Sequence, residues 1–148
     1  MTVEFDNRVR QYTYQYVVKM GKAPKVAEVA DDLGVSEQEA RRAYERLTQA
    51  HAIMLEPESG ELWRVSPFSA VPTAFSVKVG DQIYYGNCIW DALGIPATLY
   101  RDAVISAACG CCNQPMVLNV RDGAVVEDSG LIHIAVPAKR WYEDVVFT

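Results

Sequence analysis

A cysteine and an aspartate stand three positions apart in the segment YYGNCIWDALGIP, residues 84–96. The segment predicts a short helix that Asn87 caps and that ends before Pro96. Cys88 then falls in the first helical turn, where the positive end of the helix dipole stabilises a thiolate. Asp91 lies over the same face of the helix. This spacing predicts a soft-metal ligand or nucleophile beside a proton carrier.

The same spacing also fits a purely structural interpretation. In that interpretation Cys88 is a buried thiol that packs beside Trp90, because an unreactive cysteine behaves as a small hydrophobic residue. Asp91 is then a solvated carboxylate without a partner. The two residue types alone do not choose between these interpretations.

The other three cysteines stand together in the sequence CGCCN. Cys109 and Cys112 form a C-x-x-C pair with Cys111 between them, a spacing that can chelate Zn(II), Cu(I) or Hg(II). A complete zinc site would need a further ligand, which Cys88 or His133 would supply. The alternative is a turn that carries free, partly buried cysteines.

His133 lies in LIHIAV, at an alternating position among apolar residues. This position favours a core histidine over a metal ligand. The candidate metal ligands are therefore Cys88, Cys109, Cys111 and Cys112.

Composition and charge narrow the class of protein. The chain has 148 residues, 50% of them hydrophobic, which is typical of a folded protein with one domain or two small ones. No apolar run reaches the length of a membrane span and the N-terminus lacks a signal-peptide layout, so the sequence predicts a cytoplasmic protein without a membrane partner. The net charge of -5 disfavours nonspecific DNA binding. All four cysteines follow residue 87, which favours thiol chemistry over disulfides.

Residues 1–65 predict a winged helix-turn-helix domain. Helical spacing indicates a first helix over residues 3–20 and a short second helix that ends at Leu33. Ser36 opens a third helix and forms a capping box with Glu39, and two short strands about a Pro-Glu-Ser-Gly turn form the wing. The nine basic and eleven acidic residues of this domain neutralise phosphate poorly, which makes DNA an unfavoured partner. The apolar face of the first helix is predicted to carry Val3, Val9, Tyr12, Tyr16 and Met20.

Residues 66–148 predict an α+β domain with a mainly antiparallel sheet. The Ser/Pro-rich segment SPFSAVPT, residues 66–73, is interpreted as the link that leads into it. AFSVKV and QIYYG alternate apolar and polar residues about a turn at Gly80 and Asp81, which is typical of a hairpin. The helix with Cys88 follows. Further strands are predicted in AVISAAC, PMVLNV, AVVED and LIHIAV.

Three segments, PFSAVPT, YYGNCIWDALGIPATL and GLIHIAVPAKRWYEDVVFT, follow one another after a small helical domain. In this order they resemble the organomercurial lyase (alkylmercury lyase) family over nearly the whole chain. The resemblance implies a winged helical domain, an alkylmercury-lyase-like α+β domain, and catalytic roles for Cys88 and Asp91. Its implied reaction is protonolysis: a thiolate binds an organomercurial, Asp91 protonates its carbon, and a hydrocarbon and Hg(II) result.

The resemblance also implies partners. The substrate is an organomercurial or a soft-metal ion, and a small thiol or a mercuric reductase accepts the product. No organic cofactor is implied. Since the family acts on mercury in this way, mercury resistance is the biological role that the resemblance suggests.

The chain departs from the family pattern at its C-terminus. The lyases use a second cysteine, which the resemblance places at or just beyond the final VVFT, whereas this chain has no cysteine after Cys112. Either the C-terminus is shortened and the second thiol is lost, or a cysteine of CGCCN replaces it. Three functions stay open: a carbon-mercury lyase, a noncatalytic soft-metal (Hg, Cu, Zn) thiol-binding protein, and a metal-responsive transcription regulator, which the acidic first domain disfavours.

Overall fold

The computed structural model describes residues 2–127, 130–134 and 136–143, and these form one antiparallel sheet of eight strands with helices around it. The helix and strand content confirms the predicted α+β class, and every strand pair is antiparallel. No helix in the described part of the chain combines the length and the apolar character needed to cross a membrane.

The helices are α1 (Thr2–Met20), α2 (Val26–Leu33), α3 (Glu37–Gln49), α4 (Ile89–Leu99) and a 3₁₀ helix at Ala138–Arg140. The strands are β1 (Met54–Leu55), β2 (Leu62–Val65), β3 (Phe68–Ser69), β4 (Phe75–Val79), β5 (Gln82–Gly86), β6 (Ala103–Ala108), β7 (Pro115–Arg121) and β8 (Ala124–Val125), in the sheet order β1-β2-β3-β5-β4-β6-β7-β8.

Helix α1 buries one row of side chains at four-residue spacing, Val9, Thr13 and Val17. The Thr13 hydroxyl donates to the Val9 carbonyl at 2.8 Å, which satisfies its polar group inside the protein. The apolar face predicted for this helix is wrong at its two ends, since Val3 is 74% exposed and Met20 is 45% exposed. Both residues lie to the side of the row that faces the other elements.

A tight turn joins α2 to α3, and its geometry follows from two residues. Gly34 takes the left-handed conformation with a φ of 65° and ends α2. The Ser36 backbone N–H donates to the Glu39 carboxylate at 3.0 Å, and the Glu39 N–H donates to the Ser36 hydroxyl at 3.3 Å, which confirms the predicted capping box. The three helices and the β1–β2 hairpin enclose a buried cluster of Val9, Val26, Val29, Ala30, Ala40, Ala43, Tyr44, Leu47, Ile53, Leu62 and Val65.

Strand β3 makes the sheet continuous. It lies inside the segment that was interpreted as a link, and it pairs with β2 on one side and with β5 on the other. The Tyr84 hydroxyl of β5 donates to the Val18 carbonyl of α1 at 2.6 Å, so the first helix also packs against this half of the sheet. A second buried cluster consists of Val17, Phe68, Val77, Val79, Tyr84, Ala92, Ile95, Ala103, Ile105 and Val120.

The strand predicted in LIHIAV, residues 131–136, does not form in its described residues 131–134 and 136. His133 is exposed there, so its prediction as a core histidine is wrong, and Leu131 is 99% exposed. An alternating pattern becomes a strand only where its backbone finds a partner, and the preceding strand β8 already shrinks to two residues of the predicted AVVED. The final VVFT and the carboxylate at position 128 lie outside the described residues.

Candidate functional site

Cys88 marks the point where the sheet passes into helix α4. It is the N-cap residue, with an extended backbone at φ -150° and ψ -178°, and its carbonyl accepts the first helical hydrogen bond from the Ala92 N–H at 2.9 Å. The prediction that Asn87 caps the helix is therefore wrong by one residue. The Cys88 side chain makes no capping hydrogen bond, and its thiol is partly exposed at the positive end of the helix.

Asn87 does not cap the helix but binds Asp91: its side-chain amide donates to the Asp91 carboxylate at 2.8 Å. This bond spans one turn of chain and holds the carboxylate over the start of the helix. The carboxylate is thereby fixed on the same turn as the Cys88 backbone. An amide in this role favours the ionised acid, since it donates to the charged form.

The backbones of β5 and α4 approach each other closely at Gly86. A Cβ atom on this residue would lie 2.6 Å from the Ala92 backbone nitrogen and 3.0 Å from the Ala92 Cα. The Gly86 carbonyl also accepts a hydrogen bond from the Thr73 hydroxyl at 2.6 Å. The atoms that a Cβ would meet belong to the Ala92 backbone, which cannot rotate away. Glycine at position 86 therefore allows the start of α4 to lie this close to β5.

Helix α4 is longer than predicted and runs through Pro96 to Leu99. The Gly-Ile-Pro sequence does not stop the helix, because Ile95 and Pro96 are both buried. Ile95 belongs to the second buried cluster. The helix ends at Tyr100, which takes a left-handed φ of 52°. On the opposite side, a Cβ on Gly94 would lie 3.2 Å from the Pro67 ring, so this glycine lets α4 sit against the turn between β2 and β3.

Burial raises the pKa of Asp91 above the ordinary value of an aspartate, while the Asn87 hydrogen bond and the nearby Arg64 charge lower it. Burial has the largest effect, so the carboxyl holds a proton more readily than a free aspartate does. The Arg64 guanidinium lies 4.6 Å from the centre of the Trp63 ring. The charge of Arg64, a residue of β2, therefore acts on an acid of helix α4.

Tyr14 of α1 also interacts electrostatically with Asp91. Its hydroxyl donates to the Ser66 carbonyl at 2.8 Å, and the Arg10 guanidinium lies 5.8 Å from its ring centre. Burial raises the pKa of Tyr14, Arg10 partly offsets this effect, and the charge of Asp91 adds a smaller increase. Sequence reasoning missed Tyr14 and Arg64 because no local pattern links them to Asp91, whereas the four-residue spacing of Asn87 and Asp91 could have revealed that hydrogen bond.

Trp90 points outward and is 56% exposed. The structural interpretation of Cys88 required a buried thiol beside this indole. A partly exposed sulfur next to an exposed indole does not fit that requirement. A groove of about 430 Å³ lies nearby, and Cys88 is not among its lining residues, which are Asn7, Arg10, Gln11, Tyr14, Ser66, Pro67 and Thr98.

The CGCCN segment forms the loop of the β6–β7 hairpin. The Cys109 N–H donates to the Gln114 carbonyl at 2.9 Å, and the Asn113 N–H donates to the Cys109 carbonyl at 2.8 Å. Asn113 takes a left-handed φ of 56°, a conformation that asparagine tolerates well. The sulfurs of Cys109, Cys111 and Cys112 lie within 4.8 Å of one another, and within the described ranges this three-thiol group includes neither Cys88 nor His133.

The three thiols of this loop differ in accessibility and acidity. Cys111 and Cys112 are exposed and Cys109 is partly buried. Hydrogen bonds from the Cys111 backbone and thiol, and then from Cys112, lower the pKa of Cys109 to about 7. The pKa of Cys111 is raised, first by the hydrogen bond that its thiol shares with Cys109 across 3.2 Å and then by the one with Cys112. Cys109 is thus the more acidic thiol of this pair and Cys111 the less acidic.

The strand register places Cys88 and this loop at the same end of the sheet. Gly86, at the end of β5, pairs with Phe75 at the start of β4. Ser106, near the end of β6, pairs with Ser76 of the same strand. The two chain segments that carry the cysteines therefore leave the sheet side by side with β4 between them, a separation of two strand spacings, or roughly 10 Å.

Comparisons with known proteins agree with this fold. The family model "MerB: Alkylmercury lyase" matches residues 68–148, which is more than half of the chain. The chain therefore belongs to the alkylmercury lyase family. The matched part contains Cys88, Asp91 and the whole CGCCN loop.

A solved structure shares the fold. The crystal structure of the mercury-bound form of MerB2 matches with a TM-score of 0.64 at 17% sequence identity, and the match covers 80% of this chain and 58% of that chain. This chain thus spans little more than half the length of that protein. The comparison with curated proteins gives no match.

Proposed function

We propose that this protein is an alkylmercury lyase that cleaves carbon-mercury bonds with Cys88 and Asp91. One observation carries the proposal: the thiol and a partly buried carboxyl stand one helical turn apart at the start of α4, and Asn87 orients the carboxyl. Membership of the alkylmercury lyase family supports an organomercurial as the substrate. The cytoplasmic location predicted from the sequence and a small thiol or reductase as product acceptor belong to the same proposal.

Cys88 binds the mercury of the substrate. Hg(II) is soft and prefers thiolate sulfur over nitrogen and oxygen ligands. The helix does not use the Cys88 side chain for capping, so the sulfur is free to bind a ligand. Its place beside the first turn of α4 sets the sulfur one turn from the Asp91 carboxyl.

Asp91 moves the proton. It accepts a proton from a cysteine thiol as that sulfur becomes a mercury ligand, and it passes this proton to the carbon bound to mercury. The electron pair of the carbon-mercury bond forms the new carbon-hydrogen bond, the hydrocarbon leaves, and Hg(II) remains on sulfur. Burial supports this role, because it raises the pKa of Asp91 and so makes the carboxyl a better proton acceptor than a solvated aspartate.

Two substitutions separate binding from cleavage. Asp91→Asn should keep the binding of phenylmercury, because the sulfur ligand remains, and should abolish benzene release. Cys88→Ser should weaken both, because it removes the mercury ligand. The measurement is benzene evolution in the presence of excess small thiol, which removes Hg(II) from Cys88 and permits turnover, together with phenylmercury binding in its absence.

Asp81→Asn is the matched control, since Asp81 is an exposed acid in the β4–β5 turn. It should bind phenylmercury and release benzene as the parent does. If Asp91→Asn releases benzene at the parent rate, the proton comes from another group and the proposed role of Asp91 is wrong. If the parent chain binds phenylmercury without releasing benzene, the protein is not a lyase.

The division of the chain at residue 65 is a further part of the proposal, with residues 1–65 as a winged helix-turn-helix domain and residues 66–148 as the lyase domain. The Gly34 turn between α2 and α3, the β1–β2 hairpin and the separate buried cluster of the helical part support this division. In this arrangement the first domain contributes to the electrostatics of the site, because the charge of Arg64 lowers the pKa of Asp91.

The charges of α3 argue against DNA as a partner of the first domain. Arg46 binds the Asp6 carboxylate at 2.6 Å. Arg41 lies 3.8 Å from both the Glu37 and the Glu61 carboxylates. Arginines that already face carboxylates gain little by contacting phosphate, so a regulator that reads DNA is not proposed.

A second candidate function is a noncatalytic soft-metal thiol-binding protein. The observation that favours it is the three-thiol group of the β6–β7 loop, which does not depend on Cys88. This function predicts mercurial or Hg(II) binding without hydrocarbon release. The benzene assay therefore decides between the two candidates.

A further inference from the structure

We infer that the three cysteines of the β6–β7 loop, here called the trithiol loop, form an Hg(II) site that takes the inorganic product from Cys88. The source of the Hg(II) rests on the proposed lyase function, whereas the binding itself does not. The trithiol loop consists of Cys109, Cys111 and Cys112. It acts as a product acceptor within the same chain.

The spacing of the sulfurs already suits one soft metal ion. All three lie within 4.8 Å of one another, and Cys109 and Cys111 are 3.2 Å apart. Metal-sulfur bonds of about 2.3 Å, as zinc makes, place three sulfurs roughly 4 Å apart around a shared ion. Small rotations of the exposed Cys111 and Cys112 side chains toward the partly buried Cys109 therefore bring the three sulfurs onto one ion without rebuilding the hairpin.

The hairpin does not need these thiols for its own stability. Backbone hydrogen bonds at Cys109, Asn113 and Gln114 close the loop. Cys111 and Cys112 are exposed and belong to neither buried cluster. A Cβ on Gly110 would meet no atom within 4 Å, so open space surrounds the loop and a ligand can approach it.

Ligand count distinguishes the product from the substrate. Mercury in an organomercurial keeps one position for carbon, so it gains little from three sulfurs. Once the carbon has left, Hg(II) can accept all of them, and connected ligands bind more tightly than single ones through their high effective concentration. The single thiol of Cys88 thus suits the substrate, and the trithiol loop suits the product.

Transfer is a ligand exchange that involves no change in oxidation state. A thiolate of the loop attacks Hg(II), a new mercury-sulfur bond forms, and the bond between mercury and Cys88 breaks. The Cys88 sulfur leaves with its electron pair and takes up a proton, while the loop thiols that become ligands release theirs to water. The two sites leave the sheet at the same end, two strand spacings apart, so a loop thiolate reaches mercury on Cys88 when the exposed loop bends toward the start of α4.

The first test measures Hg(II) retention against a competitor. The reduced parent chain, Cys88→Ser, and a triple variant with Cys109→Ser, Cys111→Ser and Cys112→Ser are loaded with mercuric chloride and dialysed against excess cysteine. The parent and Cys88→Ser should each retain one Hg(II), and the triple variant should hold it at least about a hundredfold more weakly. X-ray absorption should report three sulfur neighbours on the retained mercury. Equal retention by the triple variant would overturn the inference, as would loss of Hg(II) from the parent.

The second test asks which site Hg(II) occupies when one equivalent is present. Alkylation of Cys88 by iodoacetamide, read by mass spectrometry, should proceed in the parent because the loop holds the metal. Cys88 should be protected in the triple variant, where it is the remaining cysteine. Protection of Cys88 in the parent would show that Hg(II) stays there and would overturn the transfer.

Circular dichroism of each variant checks folding. The single variant Cys112→Ser, at an exposed position, provides a milder test, and its retention of Hg(II) should be intermediate between those of the parent and the triple variant.

Benzene release by the parent separates the two proposals. If the parent retains Hg(II) on the loop but releases no benzene, the lyase function fails and the trithiol site stands. If the parent releases benzene but retains no Hg(II) against cysteine, the lyase function stands and the trithiol site fails.

Discussion

The thiol of Cys88 and the thiols of the trithiol loop emerge at the same end of one sheet, yet different features hold them. Cys88 sits where a strand and a helix meet, and the backbone contact at Gly86 sets its position. The trithiol loop is held by its own hairpin hydrogen bonds and has open space around it. A site for breaking a bond needs one sulfur and one acid in fixed relation, whereas a site for storing an ion needs several sulfurs with freedom to move.

Gly86→Ala should have the largest effect, because it disturbs the Cys88 site and leaves the trithiol loop unchanged. The new methyl would meet the Ala92 backbone at 2.6 Å, and backbone atoms cannot turn aside. We expect a loss of about 3 kcal/mol in the free energy of unfolding and loss of benzene release. Urea denaturation measures the first effect and the benzene assay measures the second.

Gly110→Ala is the matched control in the other region, since its methyl meets nothing within 4 Å. The free energy of unfolding should stay within about 0.5 kcal/mol of the parent value. An equal loss in both variants would show that the two regions do not differ in the way described.

Asn87→Ala should have the next largest effect. It removes the hydrogen bond to Asp91 at 2.8 Å, and a hydrogen bond to a charged group contributes about 1.5 kcal/mol or more. The pKa of Asp91 should rise, because the bond that favours its ionised form is lost. NMR titration of the Asp91 carboxyl measures this shift, and retention of Hg(II) by the trithiol loop should not change. A fall in the Asp91 pKa would contradict the assigned hydrogen bond.

Asn113→Ala should perturb the loop and leave the helix site intact. Asn113 has a φ of 56°, and alanine in this left-handed conformation costs about 1 kcal/mol. Asn113→Gly keeps the conformation accessible and should cost less than Asn113→Ala. Hairpin stability follows from hydrogen exchange in β6 and β7, and benzene release should match the parent in both variants. Equal stability of the alanine and glycine variants would argue against the left-handed turn.

The smallest expected effect is a difference in pH dependence between the parent and Asp91→Asn. Burial raises the pKa of Asp91, so the folded state favours its neutral form. Its contribution to stability is fully present below the pKa of an unfolded aspartate, about 3.9, and is lost as the pH rises through the higher folded pKa. Relative to Asp91→Asn, the parent should therefore lose stability as the pH rises from acid toward neutral. Urea denaturation across this range measures it, and a parallel pair of curves would contradict the raised pKa.

Much of the fold could be predicted because it follows from local signals. The capping box of Ser36 and Glu39, the Gly34 turn and the hairpin about Gly80 each depend on neighbours in the chain, and each is present in the structure. The Cys88 and Asp91 pair was found in the same way, from its spacing and from the family resemblance. Its catalytic role stays a prediction.

The rest depends on contacts between distant segments. The tolerance of Pro96 within α4 comes from burial against the sheet, and no local rule for proline contains it. The electrostatic effects that link Tyr14 and Arg64 to Asp91 join residues far apart in the sequence. The LIHIAV pattern failed for the opposite reason, since its alternation had no strand to pair with in the described residues.

Pro96 also has a consequence for the time over which the site stays formed. It has no N–H to donate to the Ala92 carbonyl, so the hydrogen-bond ladder of α4 is interrupted after its first two turns. The last turn can then open and close on its own, in the manner of a small independent unit. The first turn, held by the Ala92 N–H bond to Cys88 and by Asn87, does not have to follow. Cys88 and Asp91 can therefore keep their relative positions while the C-terminal turn of α4 frays.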